Sequence, residues 1–495
     1  MLSLPAALLL GSGLLLIALL AVRLSYRIGL PGLLLYLGIG LIVGIGTTVS
    51  ADGIQIEREL GLIALVVILA EGGLTSRLSD IRPVLAVSTT LATVGVLVSL
   101  GVVALVARPV FGDWRSAVLM GAIVSSTDAA AVFSVLRRIR LRPRISAILE
   151  AESGINDAPA VVIVSLAASD EWGHQPWWLL AILLVAELLG GLAIGLLMGW
   201  VSRSLLARIA LPAVGLYPLA VLAFIVIAYS SATLLHVSGL LAVYVCALII
   251  GSSRLPHRRS VLGFVEGLAW LAQIGLFVAL GVLAQPQRLG AAVLPALAIG
   301  AVLLLVARPL AVAVSTTPFR MRPREQAFLS WAGLRGAVPI VFATIPLSHL
   351  LPDAQRIFDT TVVLVILLTL LQGPTLPWVA RRLGVASATE AGEVGIETAP
   401  LDEMNAELLE VDVVAGSGLV GCYISELVLP AGADIALLVR GGRSGAPTVG
   451  TRLKPEDRLL IVATKDVRLA TERRLRAVSR RGPLAGWYGE RGDPD

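Results

Sequence analysis

The sequence predicts an all-α polytopic membrane protein of about thirteen transmembrane helices, followed by a small α+β domain near its C-terminus. Of the 495 residues, 57% are hydrophobic and 15% charged, with a mean hydropathy of +0.88, whereas soluble domains average about 25% charged residues. The apolar residues form long runs, none of which alternates with the period of a barrel strand. This composition excludes an ordinary cytosolic enzyme, a disordered chain and a nucleic-acid binder.

Most of the apolar runs reach the roughly 20 residues that a helix needs to cross about 30 Å of hydrocarbon. The first run lacks a basic leader and is followed by Arg23 and Arg27, which favours a retained span over a cleaved signal peptide. The thirteen predicted spans are 4–22, 30–46, 60–76, 83–107, 114–136, 145–169, 176–201, 214–235, 237–251, 261–285, 291–314, 326–350 and 357–380.

The placement of arginine predicts the orientation of these spans. With the N-terminus outside, the inside loops hold nineteen arginines and the outside loops hold five. Basic residues accumulate in cytoplasmic loops. We therefore expect a multi-pass protein of the inner (plasma) membrane with an outside N-terminus, a cytoplasmic C-terminus and an odd number of spans.

The composition changes at the end of the last span. Residues 1–383 are predicted to form the transmembrane domain, and residues 384–401, rich in Ala, Glu, Thr and Gly, a linker. Short β-like runs separated by Gly- and Pro-containing turns follow, so residues 402–468 are predicted to form a small soluble domain. Residues 469–495 are predicted to be a C-terminal tail, a helix end followed by disorder.

The sixth span carries two acids and two further polar residues. An ionisable side chain at the centre of a bilayer costs at least about 2.5–3.5 kcal/mol, so it tends to mark a pathway or a pair. Ser153 and Asp157 are four residues apart and share one helix face, and Glu152 and Asn156 form the neighbouring stripe. Two acids on one short segment need a partner or a proton, and the pattern favours a cation site over a polar contact between helices.

The fifth span is predicted to be an interrupted helix. Its middle reads Ser125-Ser126-Thr127-Asp128. Such side chains compete with the backbone for hydrogen bonds and can open a helical turn. An opened turn frees carbonyl oxygens, which are hard ligands suited to Na⁺ or K⁺. A kinked but unbroken helix is the alternative.

The twelfth span is also predicted to be interrupted, because Gly333 and Gly336 flank Arg335 within an apolar run. A membrane-buried arginine does not lose its proton and must be paired. Its best available partner in the sequence is Glu152 or Asp157. The fifth and twelfth spans hold corresponding positions if two six-helix units are repeated around a middle span, which is the pattern of a transporter site.

These residues resemble the monovalent cation:proton antiporters of the NhaP and eukaryotic sodium/proton exchanger kind. The motifs that carry the resemblance are Thr127-Asp128, Glu152-Ser153-Gly154-Ile155-Asn156-Asp157 and Gly333-Leu334-Arg335-Gly336-Ala337. The segment 406–464 resembles the regulatory RCK-C (TrkA-C) module of potassium transport proteins. Its matching residues are Gly418-Leu419-Val420-Gly421, Leu427, Leu429-Pro430, Arg440 and Leu453-Lys454-Pro455-Glu456-Asp457-Arg458-Leu459. The combination is similar to potassium/proton antiporters of the NhaP or CvrA type.

The resemblance implies an NhaA-like antiporter fold with inverted repeats and crossed, interrupted helices. It implies that Asp157 is the central carrier of cation and proton, and that Asn156 before it marks electroneutral exchange. The monovalent cation would lie at Asp157 and Asp128. Its oxygen shell would be completed by Ser153, by Glu71 of the third span and by the carbonyl of Thr127.

By the same resemblance, Glu152 would pair with Arg335 and so hold the crossing helices together. The sequence departs from the family pattern at one place in the fifth span. Many relatives have Pro after Thr-Asp, whereas Ala129 and Ala130 follow here.

The function implied by the resemblance is secondary antiport, not enzymatic catalysis: cytoplasmic K⁺, with Na⁺ as a further candidate, exchanges for H⁺ without a cofactor. The expected partners are the transported ions, the lipid bilayer, a second copy in a homodimer, and a nucleotide or other small ligand at the RCK-C domain, with no nucleic acid. Two alternatives remain open, a Na⁺/H⁺ antiporter and a ligand-gated cation channel or permease. The sequence contains no Thr-Val-Gly-Tyr-Gly filter, which disfavours a channel.

Overall fold

The computed structural model divides the chain into two compact units, Met1–Ser387 and Ala388–Asp495. The residues that the structure describes are 4–28, 32–45, 51–128, 131–132, 141–209, 211–253, 255–386, 396–401 and 406–488.

Helices make up the first unit, and each of the thirteen predicted spans overlaps helical residues. The helices are α1 Leu4–Ile28, α2 Gly32–Val43, α3 Ala51–Thr75, α4 Leu78–Phe111, α5 Trp114–Ser125, α6 Pro143–Ala168, α7 Trp177–Leu206, α8 Leu216–Leu234, α9 Gly239–Gly251, α10 Arg258–Leu283, α11 Pro286–Phe319, α12 Pro323–Trp331, α13 Ala337–Ser348 and α14 Ala354–Arg382. Six of them, α4, α7, α8, α10, α11 and α14, are long and apolar enough to cross a membrane by length and composition. Among the described residues, shorter apolar helical stretches of 10–17 residues lie at Gly11–Ala21, Gly32–Val43, Trp114–Ser125, Gly239–Gly251 and Ala337–Ser348.

The long helices α4 and α11 share their length and one irregularity. Each contains 34 residues, and each is interrupted by one π-helical turn, Leu91–Gly95 in α4 and Leu303–Ala307 in α11. The two helices pack together near these turns, where Gly95 faces Ser315 of α11. A π-helical turn inserts an extra residue into the helix and often marks a functional site.

Both predicted helix interruptions are present, and they bond to each other. Helix α5 ends at Ser125, and Ser126 is extended with φ −64° and ψ 146°. The twelfth span breaks between α12 and α13, and there the carbonyl of Leu334 accepts a hydrogen bond of 2.9 Å from the backbone N–H of Asp128. The departure from the family pattern at residues 129–130 lies outside the described residues.

The second unit is a five-stranded antiparallel sheet with one helix packed on it. The strand order is β1-β2-β5-β3-β4. Its elements are β1 Ile396–Leu401, β2 Ala406–Asp412, a 3₁₀ turn Ile424–Leu427, β3 Ala433–Arg440, β4 Arg443–Gly445, β5 Arg458–Thr464 and α15 Arg468–Arg481. The core of this unit is apolar and includes Leu409, Leu419, Leu459 and Ile461.

Two of the predicted boundaries in this region are wrong. Residues at the end of the predicted linker form β1, which pairs with β2 from Ile396↔Val411 to Leu401↔Ala406. The first part of the predicted tail forms α15, which buries Leu475 and Val478 in the core of the sheet. The helix at the start of the tail is expected from the sequence, but its packing on the sheet is not, because its arginines flank only a narrow apolar stripe at helical spacing.

An ion pair between Arg440 and Asp457 stabilises the second unit. Asp457 is buried and accepts bonds of 2.7 Å from Nε and from Nη2 of Arg440, and a third from the backbone N–H of Lys454. Burial acts to raise the pKa of Asp457, but the hydrogen bonds from Arg440 and Lys454 outweigh it and hold the pKa below its ordinary value of 3.8. The bond to Asp457 raises the pKa of Arg440.

We predict that Arg440→Met destabilises the second unit by about 1–3 kcal/mol, because Asp457 loses its charged donor. The pKa of Asp457 is lower in the folded state, so this stabilisation is present above pH 3.8 and is lost as pH falls through the lower folded value. Limited proteolysis of the full chain at neutral and acid pH measures it. Arg443→Met, at an exposed position on β4, is the matched control, and equal protease resistance of the two variants would contradict the prediction.

Candidate functional site

The polar residues of the sixth span lie in the interior of the first unit. Helix α6 begins with Pro143 at its first turn, a position where the missing N–H costs nothing. Asp157 is 3% exposed, and Glu152 and Asn156 are 1% exposed. A buried carboxylate requires a hydrogen-bond donor, a cation or a proton. The surroundings of each acid therefore decide what it does.

Asp157 lies against the extended segment that follows α5. The hydroxyl of Ser126 donates to Oδ1 of Asp157 at 2.5 Å, and Asp128 lies close enough for the two carboxylates to interact electrostatically. The structure therefore brings together the two acids to which the resemblance assigns the cation. Ser126 was not singled out as a partner of Asp157, although the run of hydroxyl residues before Asp128 was the signal for it.

Thr127 binds α6 through both of its oxygens. Its carbonyl accepts a hydrogen bond of 2.5 Å from the hydroxyl of Ser153, and its Oγ1 accepts one of 2.6 Å from Nδ2 of Asn156. Two of the oxygens that the resemblance assigns to the cation, those of Ser153 and Thr127, thus bond to each other here. A cation binding at Asp157 would compete with this hydrogen bond for the same carbonyl.

The break in the twelfth span fits closely around Asp128. Asp128 caps the next helical turn, because its Oδ1 accepts from the backbone N–H of Ala131 at 3.1 Å. Its other oxygen lies against Gly336, where a Cβ atom would come within 1.7 Å of Oδ2. Only glycine leaves room for the carboxylate at this position. Gly336 thus allows the two interrupted helices to cross at this distance.

Glu152 does not pair with Arg335, and this expectation from the sequence is wrong. Its carboxylate is held by both terminal nitrogens of Arg308 from α11, at 2.5 Å and 2.9 Å. Arg308 is 4% exposed and also donates to the carbonyl of Leu329 at 3.3 Å. This bidentate geometry is the strongest form of an arginine–carboxylate contact. Arg308 follows the π-helical turn of α11 directly, and that turn sets the direction of the residues after it.

Arg335 instead holds the ends of the interrupted helices. Its Nε donates to the carbonyl of Val124 at 2.9 Å, and its Nη1 donates to the carbonyl of Gly333 at 2.5 Å. Carbonyls at a helix end lack partners within the helix. The guanidinium of Arg335 satisfies two such groups.

Glu71 is not placed with Asp157. It lies near the C-terminal end of α3, and the charged groups within its electrostatic reach are Glu266 of α10 and Glu150 of α6. Glu150 also contacts Ser76 and Ser146, each at 3.4 Å. We call these three acids the outer acid cluster (Glu71, Glu150 and Glu266). Its member on α6, Glu150, lies seven residues, or about two helical turns, before Asp157.

The charges of the central site do not cancel. Among the described residues it contains three carboxylates, Asp128, Glu152 and Asp157, and two guanidinium groups, Arg308 and Arg335. With every carboxylate ionised, one net negative charge remains. A net charge in a poorly hydrated interior is costly, so one monovalent cation or one proton brings the site to neutrality.

A buried site of this kind at crossed, interrupted helices defines a class, the secondary ion exchangers. The profile of the family described as sodium/hydrogen exchanger, transmembrane, matches residues 14–382, and that of the TrkA-C domain matches residues 408–476. The chain belongs to the sodium/hydrogen exchanger family and is a cation/proton antiporter with an appended TrkA-C regulatory domain.

The relatives agree with this assignment over most of the chain. A K⁺/H⁺ antiporter NhaP of Alkalimonas amylolytica is 37% identical over 439 residues, which are 86% of this chain and 76% of that protein. A K⁺/H⁺ antiporter NhaP2 of Shewanella baltica is 33% identical over 88% of this chain and 77% of its own length. The structure of the sodium proton antiporter MjNhaP1 of Methanocaldococcus jannaschii matches 75% of this chain and 97% of its own, with a TM-score of 0.67 and 23% identity. That structure confirms the predicted fold.

Proposed function

We propose that the protein exchanges cytoplasmic K⁺ for H⁺, one for one, at the site formed by Asp157 and Asp128. The single observation that carries the proposal is the net charge of the site. Three carboxylates against two guanidinium groups leave room for one positive charge, which either a K⁺ or a proton supplies. Because each ion neutralises the site equally, replacing one by the other moves no net charge.

The exchange follows from the cost of the unneutralised site. When neither ion is bound, the extra carboxylate charge lies in a poorly hydrated interior, and its burial is unfavourable. If only neutral sites pass between the two faces of the membrane, a cation leaving on one side must be matched by a proton or cation returning. We propose that Asp157 carries the ion, that Asp128 and Ser153 contribute oxygens, and that the Thr127 carbonyl exchanges its Ser153 partner for the cation.

The choice of K⁺ is supported by the relatives, of which those from Alkalimonas amylolytica and Shewanella baltica are named K⁺/H⁺ antiporters. The second candidate is a Na⁺/H⁺ antiporter, which is what the structurally similar Methanocaldococcus jannaschii protein is named. Both ions take oxygen ligands of the type found around Asp157.

The remaining expectations from the sequence stay part of the proposal. They are an inner-membrane location with the N-terminus outside, a homodimer, no cofactor, and a nucleotide or other small ligand at the TrkA-C domain. A channel or permease is the last alternative to antiport. The arginine bias supports the orientation, and the TrkA-C match supports regulation.

The experiment that tests this function is proton release from everted membrane vesicles that contain the protein. K⁺, Na⁺ and Li⁺ are added in turn across several pH values. We expect K⁺ to collapse an imposed pH gradient at lower concentration than Na⁺ or Li⁺. A response to Na⁺ alone would support the second candidate. No response to any of the three, with the protein present in the membrane, would overturn antiport.

The outer acid cluster is expected to raise the local cation concentration on the cytoplasmic side of the site. Glu150 lies seven residues before Asp157 on α6, at about 10 Å. We predict that Glu150→Gln raises the KM for K⁺ by about twofold to tenfold and leaves the maximal rate unchanged, because one attracting charge is lost at that distance.

Glu59→Gln is the matched control, since Glu59 is an exposed acid toward the opposite end of α3 from Glu71. The KM for K⁺ in vesicles measures both variants. An unchanged KM in Glu150→Gln, or an equal rise in Glu59→Gln, would show that the outer acid cluster has no specific role.

A further inference from the structure

A small cavity lies beside the break in the twelfth span, next to the two buried arginines. The space that it offers to the centre of a water molecule is about 10 Å³, which is about enough for one water. Its lining comes from α11, α12, the break itself and α14. The lining residues are Leu303, Leu304, Arg308, Ser330, Gly333, Arg335, Leu368 and Gln372.

Three polar atoms of these lining residues have no hydrogen-bond partner among the described residues. They are Nε of Arg308, Nη2 of Arg335 and Oε1 of Gln372. The three residues are 4%, 1% and 1% exposed. A buried polar group without a partner costs about 1–3 kcal/mol, and more when it is charged. Three such groups around one cavity therefore indicate a common partner.

The orientation of Gln372 is fixed by its other end. Its Nε2 donates to the carbonyl of Trp331 at 2.7 Å, so Oε1 is the atom left to accept a hydrogen bond. Ser330 is oriented in the same way, because its hydroxyl donates to the carbonyl of Gln326 at 2.8 Å. The lone pairs of Ser330 Oγ remain to accept. The residues around the cavity thus offer two sets of donors, from the arginines, and two acceptors.

This pattern selects the chemical class of the occupant. A cation is excluded by two guanidinium groups within electrostatic reach of each other. An anion would suit the arginines but would face the oxygens of Gln372 and Ser330. A neutral molecule that accepts two hydrogen bonds and donates two satisfies every group, and one water molecule fits the volume.

We propose that the cavity binds one ordered water that accepts from Arg308 and Arg335 and donates to Gln372 and Ser330. The water oxygen faces both positive charges, so it reduces their repulsion. It also links α11, α12, α14 and the break through a single hydrogen-bonded centre. The proposal goes beyond the transport function and does not depend on it.

The test is an electron cryo-microscopy map of the full chain in lipid nanodiscs, at a resolution that shows ordered water. We expect a single density at about 3 Å from each of Arg308 Nε, Arg335 Nη2 and Gln372 Oε1. A cavity without density, or a Gln372 side chain bonded directly to Arg335, would overturn the proposal. The test uses the map of the wild-type protein, so its result does not depend on whether the proposed transport function is correct.

Two variants sharpen the test. Gln372→Leu removes one acceptor and fills part of the cavity, so we expect the density to disappear. Gln355→Leu makes the same change elsewhere on α14, where Gln355 donates to Asp359 at 2.9 Å, and we expect the density to remain. If Gln372→Leu does not fold, Ser330→Ala replaces it, with weaker density expected. Density unchanged in both cavity variants would contradict the assigned partners.

An anion is distinguished from water by its scattering. A crystal of the protein soaked in bromide and measured at the bromine edge shows anomalous signal where an anion binds. We expect no such signal in the cavity. A bromide peak between Arg308 and Arg335 would refute the assignment to water.

Discussion

Asp157→Asn is expected to abolish exchange while the protein still folds and inserts. Asparagine has nearly the same size as aspartate, and its side chain can accept the hydrogen bond that Ser126 now donates to Asp157. The substitution removes one carboxylate, so the central site becomes neutral without a bound ion. A site that is already neutral neither requires K⁺ nor has a proton to release.

The measurement is K⁺-driven proton movement in vesicles, together with the amount of protein in the membrane fraction. We expect the rate to fall to that of vesicles without the protein at every pH, with normal protein content. Glu187→Gln is the control, since Glu187 is a half-buried acid of α7 that contacts neither aspartate among the interactions described, and it should retain exchange. Vigorous exchange by Asp157→Asn would contradict the role of Asp157 as the carrier of K⁺ and H⁺.

Arg308→Met is expected to destabilise the protein by about 3–5 kcal/mol, because it leaves the carboxylate of Glu152 buried without its partner. The free energy of unfolding, or the melting temperature in detergent, measures the loss. We expect Glu152→Gln with Arg308→Met to recover a large part of it, since a buried charge is no longer left alone. Replacing both members of a buried ion pair is often much less costly than replacing one.

The double-mutant cycle separates the observed partner from the one expected from the sequence. The coupling energy between Glu152 and Arg308 should exceed that between Glu152 and Arg335. Arg335→Met should destabilise by a different route, through the lost bonds to the carbonyls of Val124 and Gly333. A larger coupling of Glu152 to Arg335 would contradict the ion pair that the structure shows.

The sequence locates the central site because its signals are local. Four-residue spacing places Ser153 and Asp157 on one face, and the run from Ser125 to Asp128 predicts where α5 ends. Gly333 and Gly336 mark the second break. Each of these features depends on neighbouring residues within a turn or two, which is the range over which helical period and backbone propensity act.

The partners across helices are not predictable in the same way. Arg308 and Arg335 are both buried arginines in apolar spans, and the sequence gives no direct way to choose between them for Glu152. The choice depends on the rotation of α11 about its axis, which its π-helical turn changes by one residue. Glu71 likewise lies with Glu150 and Glu266, because packing between α3 and α9, such as Gly73 against Ala247, sets the position of α3.

The boundaries of the second unit were missed for a related reason. The strand at Ile396–Leu401 is an edge strand that forms by pairing with β2. Its composition alone is that of a linker. The helix Arg468–Arg481 carries so many arginines that its apolar stripe is short. In both places tertiary contacts outweigh the local signal.

The most direct test of one shared site is the KM for K⁺ measured as a function of pH in proteoliposomes. If K⁺ and a single proton compete for Asp157 and Asp128, the KM rises by up to about tenfold per unit of acidification while the maximal rate at saturating K⁺ stays constant. A maximal rate that falls with acid while the KM stays fixed would contradict competition, because it would place the proton at a separate site.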